Sequence, residues 1–311
     1  MRRISLGKSG IEVSKIGMGA MQASSEWVTD DDEIVEAIVK SSDLGVNLVD
    51  TAEGYGKGHS EEVVGRAIAR VGRENLVVAT KVAGLHLRHD DVLKACRASL
   101  ARLGIKKIDL YQIHSPNPWE QIPLKHTMKA MEELYAEGKI GAIGVSNFAV
   151  RDLEEARGYL SKTDIVSNQV RYNLLERQIE EEVIPYCKKN GITVLAWSPL
   201  AQGVLTGKYG PRRLPVKNTR ADNPLFFKHN LVAARHLLSV LGTIGKNHGK
   251  SESQVALNWL GSGKPVVPIP GARNAEQAEQ NALSVGWSIT RDEANEIELA
   301  CKRLKLDYFP R

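Results

Sequence analysis

Short apolar or β-branched runs recur along the chain, at Ile16 and at 46–49, 76–79, 108–113, 143–145, 165–166, 193–196 and 265–269. They read as eight candidate strands. Between most of them lie helical patterns: Ile34, Ala37, Ile38 and Ser41 share one face, as do Met128, Met131, Leu134 and Tyr135, at three- and four-residue steps. Successive strands start roughly thirty residues apart, the length of one βαβ unit. The last step, from Thr193 to Pro265, is more than twice as long and marks an insertion. Helix starts are signalled by Thr29 with Asp32, Ser251 with Gln254 and Thr290 with Glu293, pairs with the spacing of a capping box. Leu44-Gly45, Glu137-Gly138 and Asn190-Gly191 supply glycines where helices end.

Strands alternating with helices, with no Pro/Ser-rich linker between halves, predict an α/β fold: one (β/α)8 TIM barrel, a single domain over residues 1–311. A doubly wound sheet is the alternative. Against it, Gly17-Met18-Gly19 lacks the third glycine of a dinucleotide fingerprint, and Gly261-Ser262-Gly263-Lys264 runs into Pro265 where a P-loop needs Ser or Thr. Three segments lie outside the repeat. Residues 2–14 read as a β-hairpin around Gly7-Lys8-Ser9-Gly10 that caps the closed bottom of the barrel. Residues 203–228, rich in Gly, Pro, Arg and Lys, form a long loop after the seventh strand, on the face where sites are built. Residues 290–304 form an extra C-terminal helix.

Composition narrows the function classes. The 42 basic and 37 acidic residues give a net charge of +5, scattered without a run of five like charges, which argues against nucleic acid as a partner. The three cysteines, Cys96, Cys187 and Cys301, are far apart with no CxxC and read as small buried hydrophobes in a reducing compartment. No His/Cys/Asp/Glu set has metal-ligand spacing, so no metal is expected. Two arginines near the N-terminus lack an apolar segment behind them, and no apolar run approaches the roughly 20 residues of a membrane span. A cytoplasmic protein without membrane partners is expected.

In a barrel the informative residues are polar ones at the C-terminal ends of strands. The second candidate strand ends in Asp50, with Tyr55 following in the loop Glu53-Gly54-Tyr55-Gly56. The third ends in Lys81 and the fourth in His114. Singly, Asp50 and Lys81 read as a rim ion pair, His114 as a structural histidine and Tyr55 as a loop aromatic. Together they make a proton donor. A phenol is a poor acid at neutral pH, a lysine ammonium beside it lowers its pKa, a carboxylate keeps the lysine charged, and an imidazole can hydrogen-bond a carbonyl oxygen.

The chain resembles the aldo-keto reductase family over nearly its whole length. The resemblance rests on Leu6-Gly7-Lys8-Ser9-Gly10, Asp50-Thr51-Ala52 with Glu53-Gly54-Tyr55-Gly56, Lys81, Ile113-His114, Gly138-Lys139-Ile140, Gly144-Val145-Ser146-Asn147-Phe148, Gln169 and Trp197-Ser198-Pro199-Leu200. It implies a catalytic tetrad of Asp50, Tyr55, Lys81 and His114 with Tyr55 as the acid, and NADPH/NADP+ bound without a Rossmann domain. By resemblance Ser146, Asn147 and Gln169 hold the nicotinamide carboxamide and Trp197 stacks on its ring. Ser198 lies in the following turn, and Leu200, Gln202 and Gly203 offer backbone amides to the pyrophosphate. The segment with Gly271, Arg273, Gln277, Gln280 and Asn281 meets the 2′-phosphate and adenine. Gly271-Ala272 replace the Lys-Ser pair of the eukaryotic pattern, and Gln277 stands where those enzymes often carry arginine, so the chain is closer to prokaryotic branches and NADH is expected to bind with lower affinity.

The implied activity is an NAD(P)H-dependent oxidoreductase that reduces aldehydes and ketones, its partner a small carbonyl or alcohol. Met21, Trp27 and Trp119, with the 203–228 loop and the tail Tyr308-Phe309-Pro310, are the substrate-facing candidates. Two alternatives keep the same barrel: a cofactor-binding regulatory protein that has lost turnover, and a sugar or alcohol dehydrogenase working in the oxidative direction.

Overall fold

β1 (Arg3–Ser5) and β2 (Glu12–Ser14) pair antiparallel around the turn at Gly7 and Gly10, both of which take positive φ. The computed structural model describes residues 1–24, 29–117, 122–215, 220 and 223–308. After the hairpin come β3 (Met18–Gly19), β4 (Leu48–Asp50), β5 (Val77–Val82), β6 (Ile108–Ile113), β7 (Ile140–Ser146), β8 (Ile165–Arg171), β9 (Thr193–Trp197) and β10 (Val266–Pro268). Each pairs in parallel with the next in chain order. The sheet closes on itself where Gly17 and Gly19 donate their amides to the carbonyls of Pro268 and Pro270, at 2.9 and 3.0 Å. A parallel bridge between Gly19 and Gly271 completes the seam. The expected (β/α)8 barrel is the fold.

The helices that return the chain are α1 (Asp31–Asp43), α2 (His59–Val71), α3 (His89–Leu103), α4 (Leu124–Ala136), α5 (Val150–Gly158) and α6 (Val183–Asn190), and, beyond β9, α7 (Lys228–Ala233), α8 (Arg235–His248), α9 (Glu252–Gly261), α10 (Ala275–Ala282) and α11 (Arg291–Lys302). Ile34, Ala37, Ile38 and Ser41 face the barrel from α1, and Met128, Met131 and Leu134 from α4, as their spacing requires; Tyr135 is only partly buried. Ser251 and Thr290 form the predicted capping boxes. At α1 the cap is Asp30, whose carboxylate takes the Asp32 amide, rather than Thr29 one residue earlier. The first strand is likewise displaced, from Ile16 to Met18–Gly19. The expected long connection after the seventh strand is present, and its described part carries 3₁₀ turns at Ala201–Thr206 and Pro224–Phe226, an isolated bridge between Gly210 and Arg213 and the start of α7. Cys96 and Cys187 are buried, and burial pushes both thiols up to about 12; Cys301 differs from expectation in being only half-buried.

Two apolar layers result. The larger packs helices against the outer face of the sheet. The smaller fills the barrel with Leu48, Ala79, Leu110, Ala142, Val166, Leu195 and Val267, one residue from each of β4 to β10, and is stoppered by Leu6 and Val13 of the hairpin. The stopper seats closely. Gly7, at φ 56°, approaches so near that a Cβ would lie 2.4 Å from the Val166 carbonyl oxygen, and its amide donates to Thr193 Oγ1 at 2.8 Å. Gly7→Ala is therefore expected to lift the hairpin and lower unfolding free energy by about 1–3 kcal/mol, while activity at the opposite end stays within about twofold. Denaturant unfolding and steady-state rates on the same sample check both parts.

Candidate active site

β4, β5 and β6 end side by side at the rim opposite the hairpin, and their last polar side chains meet there. Lys81 is completely buried and Asp50 is 3% exposed. The three protons of the Lys81 ammonium go to Asp50 Oδ1 at 2.6 Å, the Thr51 carbonyl at 2.9 Å and the Tyr55 hydroxyl at 3.4 Å. The ammonium also lies 4.9 Å from the centre of the Tyr55 ring. His114 stands edge-on to the half-buried Tyr55, ring centres 5.5 Å apart. All four predicted residues thus occupy one site.

Sequence reasoning missed what holds Asp50. Gln112 of β6 and Gln169 of β8 both donate side-chain amides to Asp50 Oδ2, at 3.0 and 2.8 Å, and Gln169 also donates to Gln112 Oε1 at 3.2 Å. The carboxylate therefore has a cation on one oxygen and two amides on the other, which satisfies a charge that would otherwise be costly to bury.

The surroundings set the protonation states. Burial opposes the charge on Lys81, but Asp50 and the adjacent phenol outweigh it and hold its pKa above the usual value. Burial pushes the Tyr55 phenol above its ordinary range, and Lys81 offsets only part of this. The expectation of a lowered phenol is thus corrected: Lys81 acts in the predicted direction, but burial is larger. Burial and the Lys81 charge together depress His114 to about 4, so its imidazole is neutral at physiological pH.

Next to the tetrad, β7, β8 and β9 end in an interlocked group. Ser146 Oγ donates to the Gln169 carbonyl at 2.8 Å. Asn147, at φ 62°, donates to the His114 carbonyl and to Ser146 Oγ, both at 3.1 Å, and accepts from Trp197 Nε1 at 3.0 Å. Arg171 lies over the Trp197 ring, 4.4 Å from its centre. The Asn147 and Gln169 side-chain amides are engaged in hydrogen bonds within the site itself. Ser198, Ala201 and Gln202 follow in left-handed backbone, unusual for residues with a Cβ and concentrated in general at ligand clamps. The Gly203 amide, expected to face a phosphate, closes this turn onto the Leu200 carbonyl at 2.8 Å.

After the neighbouring strand β10, Asn274 caps α10 by accepting the Gln277 amide, and Gln277 Oε1 accepts from the Arg273 amide at 3.1 Å. Asn281 donates to the Gly271 carbonyl at 3.2 Å, while Gln280 turns to Glu276 at 3.3 Å. A cation not singled out from sequence joins them. Arg220 donates to the Gln202 carbonyl at 2.8 Å, and burial together with the nearby Arg273 charge lowers its pKa. Only the basic composition of the 203–228 segment hinted at it. Two arginines on one rim, a helix start beside them and a strained turn leading to an indole form a donor set that fits a phosphorylated dinucleotide.

Met21 lies half-buried in the turn after β3, on the same rim. Trp27 and Trp119 lie outside the described residues, as do Phe309 and Pro310 of the tail; Tyr308 is exposed and close to Gln178, Arg171 and Glu176. Among the described residues no three His, Cys, Asp or Glu side chains could hold a metal ion, and no helix is long and apolar enough to cross a membrane.

Residues 15–301 match the Aldo/keto reductase family. The chain is 36% identical over 314 residues to aldo-keto reductase YhdN of Bacillus subtilis, covering 96% of this chain and 92% of that protein. It is 30% identical over 322 residues to a protein of Escherichia coli named NADH-specific methylglyoxal reductase, covering 94% and 96%. An aldo/keto reductase from Klebsiella pneumoniae, solved in complex with NADP and acetate, superposes with a TM-score of 0.79 at 28% identity, covering 99% of this chain and 100% of that one. Fold, site and comparisons agree, and the chain belongs to the aldo/keto reductase family of oxidoreductases.

Proposed function

We propose that this protein reduces aldehydes or ketones to alcohols with NADPH, with Tyr55 as proton donor. The observation that carries this reading is the Lys81 ammonium touching both Asp50 and the Tyr55 hydroxyl, with a neutral imidazole beside them. The bound nicotinamide would supply a hydride to the carbonyl carbon. As the C=O bond becomes C–O, negative charge gathers on oxygen, and Tyr55 gives that oxygen its proton. An alkoxide is a far stronger base than a phenolate, so a phenol raised by burial still transfers its proton downhill and keeps it until then. Lys81 stabilises the phenolate left behind, Asp50 fixes Lys81, and neutral His114 donates a hydrogen bond to the carbonyl oxygen. In the reverse direction the same phenolate accepts the alcohol proton.

Ser146, Asn147, Gln169 and Trp197 would hold the nicotinamide end, and the 198–203 turn the pyrophosphate. Arg273, Arg220 and the start of α10 would hold the 2′-phosphate. The Escherichia coli relative named as NADH-specific is a reminder that this family accommodates either cofactor. Two arginines at this rim favour the phosphorylated one here.

Three outcomes are expected. Tyr55→Phe should lower the reduction rate at saturating substrate by about a hundredfold or more, with NADPH affinity nearly unchanged; a mutant keeping over about a tenth of the rate would remove Tyr55 from the role. Because the His114 pKa is depressed to about 4 and that of Tyr55 is raised, both stay in their working forms through neutral pH. Reduction should therefore show no ionisation between about pH 5.5 and 8 and should fall only at alkaline pH as the phenol ionises. A histidine NMR titration with a His114 midpoint above pH 6 would contradict this. Finally, Arg273→Ala should weaken NADPH binding about ten- to a hundredfold and NADH binding by less than about twofold, since a charge-assisted contact contributes roughly 1.5–3 kcal/mol. Dissociation constants from tryptophan fluorescence quenching decide, and an unchanged ratio would show that this turn does not read the phosphate.

A further inference from the structure

One ion pair, between a fully buried carboxylate and a half-buried guanidinium, takes no part in the chemistry above. Glu61, in the first turn of α2, is fully buried, and its carboxylate accepts from Arg102 of α3, at 2.6 Å from Nη2 and 2.7 Å from Nε, and from Thr80 Oγ1 at 2.5 Å. Thr80 stands immediately before Lys81 in β5. Beside Glu61, Ser60 Oγ donates to the Ala20 carbonyl and lies 2.8 Å from Thr51 Oγ1. Thr51 follows Asp50, and its carbonyl accepts a hydrogen bond from Lys81. The first turn of α2 is thus tied to both strands that carry the Asp50–Lys81 pair.

Tyr55 hangs from this turn by three residues. Gly56, Lys57 and Gly58 run in succession through left-handed backbone, at φ 60°, 57° and 96°. Lys57 carries a Cβ, so its conformation is intrinsically unfavourable and persists only because both ends are held. Arg102 also occupies the space above Gly58, where a Cβ would fall 2.5 Å from its Nε. A small retreat of α2 would let the turn unwind and would carry the phenol away from Lys81, a contact already at 3.4 Å.

We infer that the Glu61–Arg102 pair is a positioning device for Tyr55, holding the strained 56–58 turn at the height where the phenol meets Lys81. This rests on Tyr55 being the proton donor. A pair with a buried member adds little net stability compared with apolar side chains of similar size, because desolvation of the carboxylate offsets its attraction. Its effect should therefore appear in catalysis rather than in folding.

The test replaces both members, Glu61→Met with Arg102→Met. The double variant should fold, bind NADPH within about twofold of the wild type and keep its KM, while kcat falls about tenfold or more. The alkaline limb of its pH profile should move upward, since a more distant Lys81 offsets less of the burial on Tyr55. A folded double variant with wild-type kcat overturns the inference, and so does a parallel loss of kcat and NADPH affinity. Arg102→Lys, which keeps the charge and loses the fork, supplies a milder version: kcat should drop severalfold with NADPH binding intact, and an unchanged kcat again overturns it. An inactive Tyr55→Phe beside a fully active double variant would sink this inference alone, whereas an active Tyr55→Phe would sink the proton-donor reading.

Discussion

A lysine and an aspartate removed from water at the top of the barrel are what the surrounding structure is arranged to satisfy. An ammonium and a carboxylate lose several kcal/mol each on burial, and their mutual attraction recovers this only when every remaining proton and lone pair finds a partner. Lys81 has three protons and three acceptors. Asp50 has Lys81 on one oxygen and the amides of Gln112 and Gln169 on the other. Four strands, β4, β5, β6 and β8, therefore converge on one carboxylate. β7 passes between two of them, and it does so with Gly144: a Cβ there would lie 2.5 Å from Ser167 Oγ and 2.9 Å from Gln112 Cγ.

The tetrad was legible in the chain because barrel topology assigns a direction to every strand, so a polar residue at the end of an apolar run is marked by position alone. The brackets around it were not. Gln112 sits inside the run Asp109-Leu110-Tyr111-Gln112-Ile113, where nothing local separates a site residue from one merely facing the barrel, and its partner Asp50 is 62 residues away. Glu61 and Arg102 lie on helices where a charge ordinarily means solvent. Arg220 was one basic residue among several in a segment without a period.

Other differences have local causes. Thr29 and Asp30 are both good cap formers, and backbone geometry chooses between neighbours in a way composition does not reveal. The effect of Lys81 on the phenol could be read from residue types. The opposing effect of burial depends on how deeply the rim closes over Tyr55, which is a property of the folded whole.

The hairpin stopper confines water as well as packing the core. Below the Asp50–Lys81 pair lie the apolar layer from Leu48 to Val267 and then Leu6 and Val13, all at or near zero exposure. The barrel is a vessel open at one end. On the proposed role of Tyr55, the proton it gives up would be replaced through the same mouth that admits the reactants, so whatever covers that mouth would also set how quickly the phenol is reprotonated.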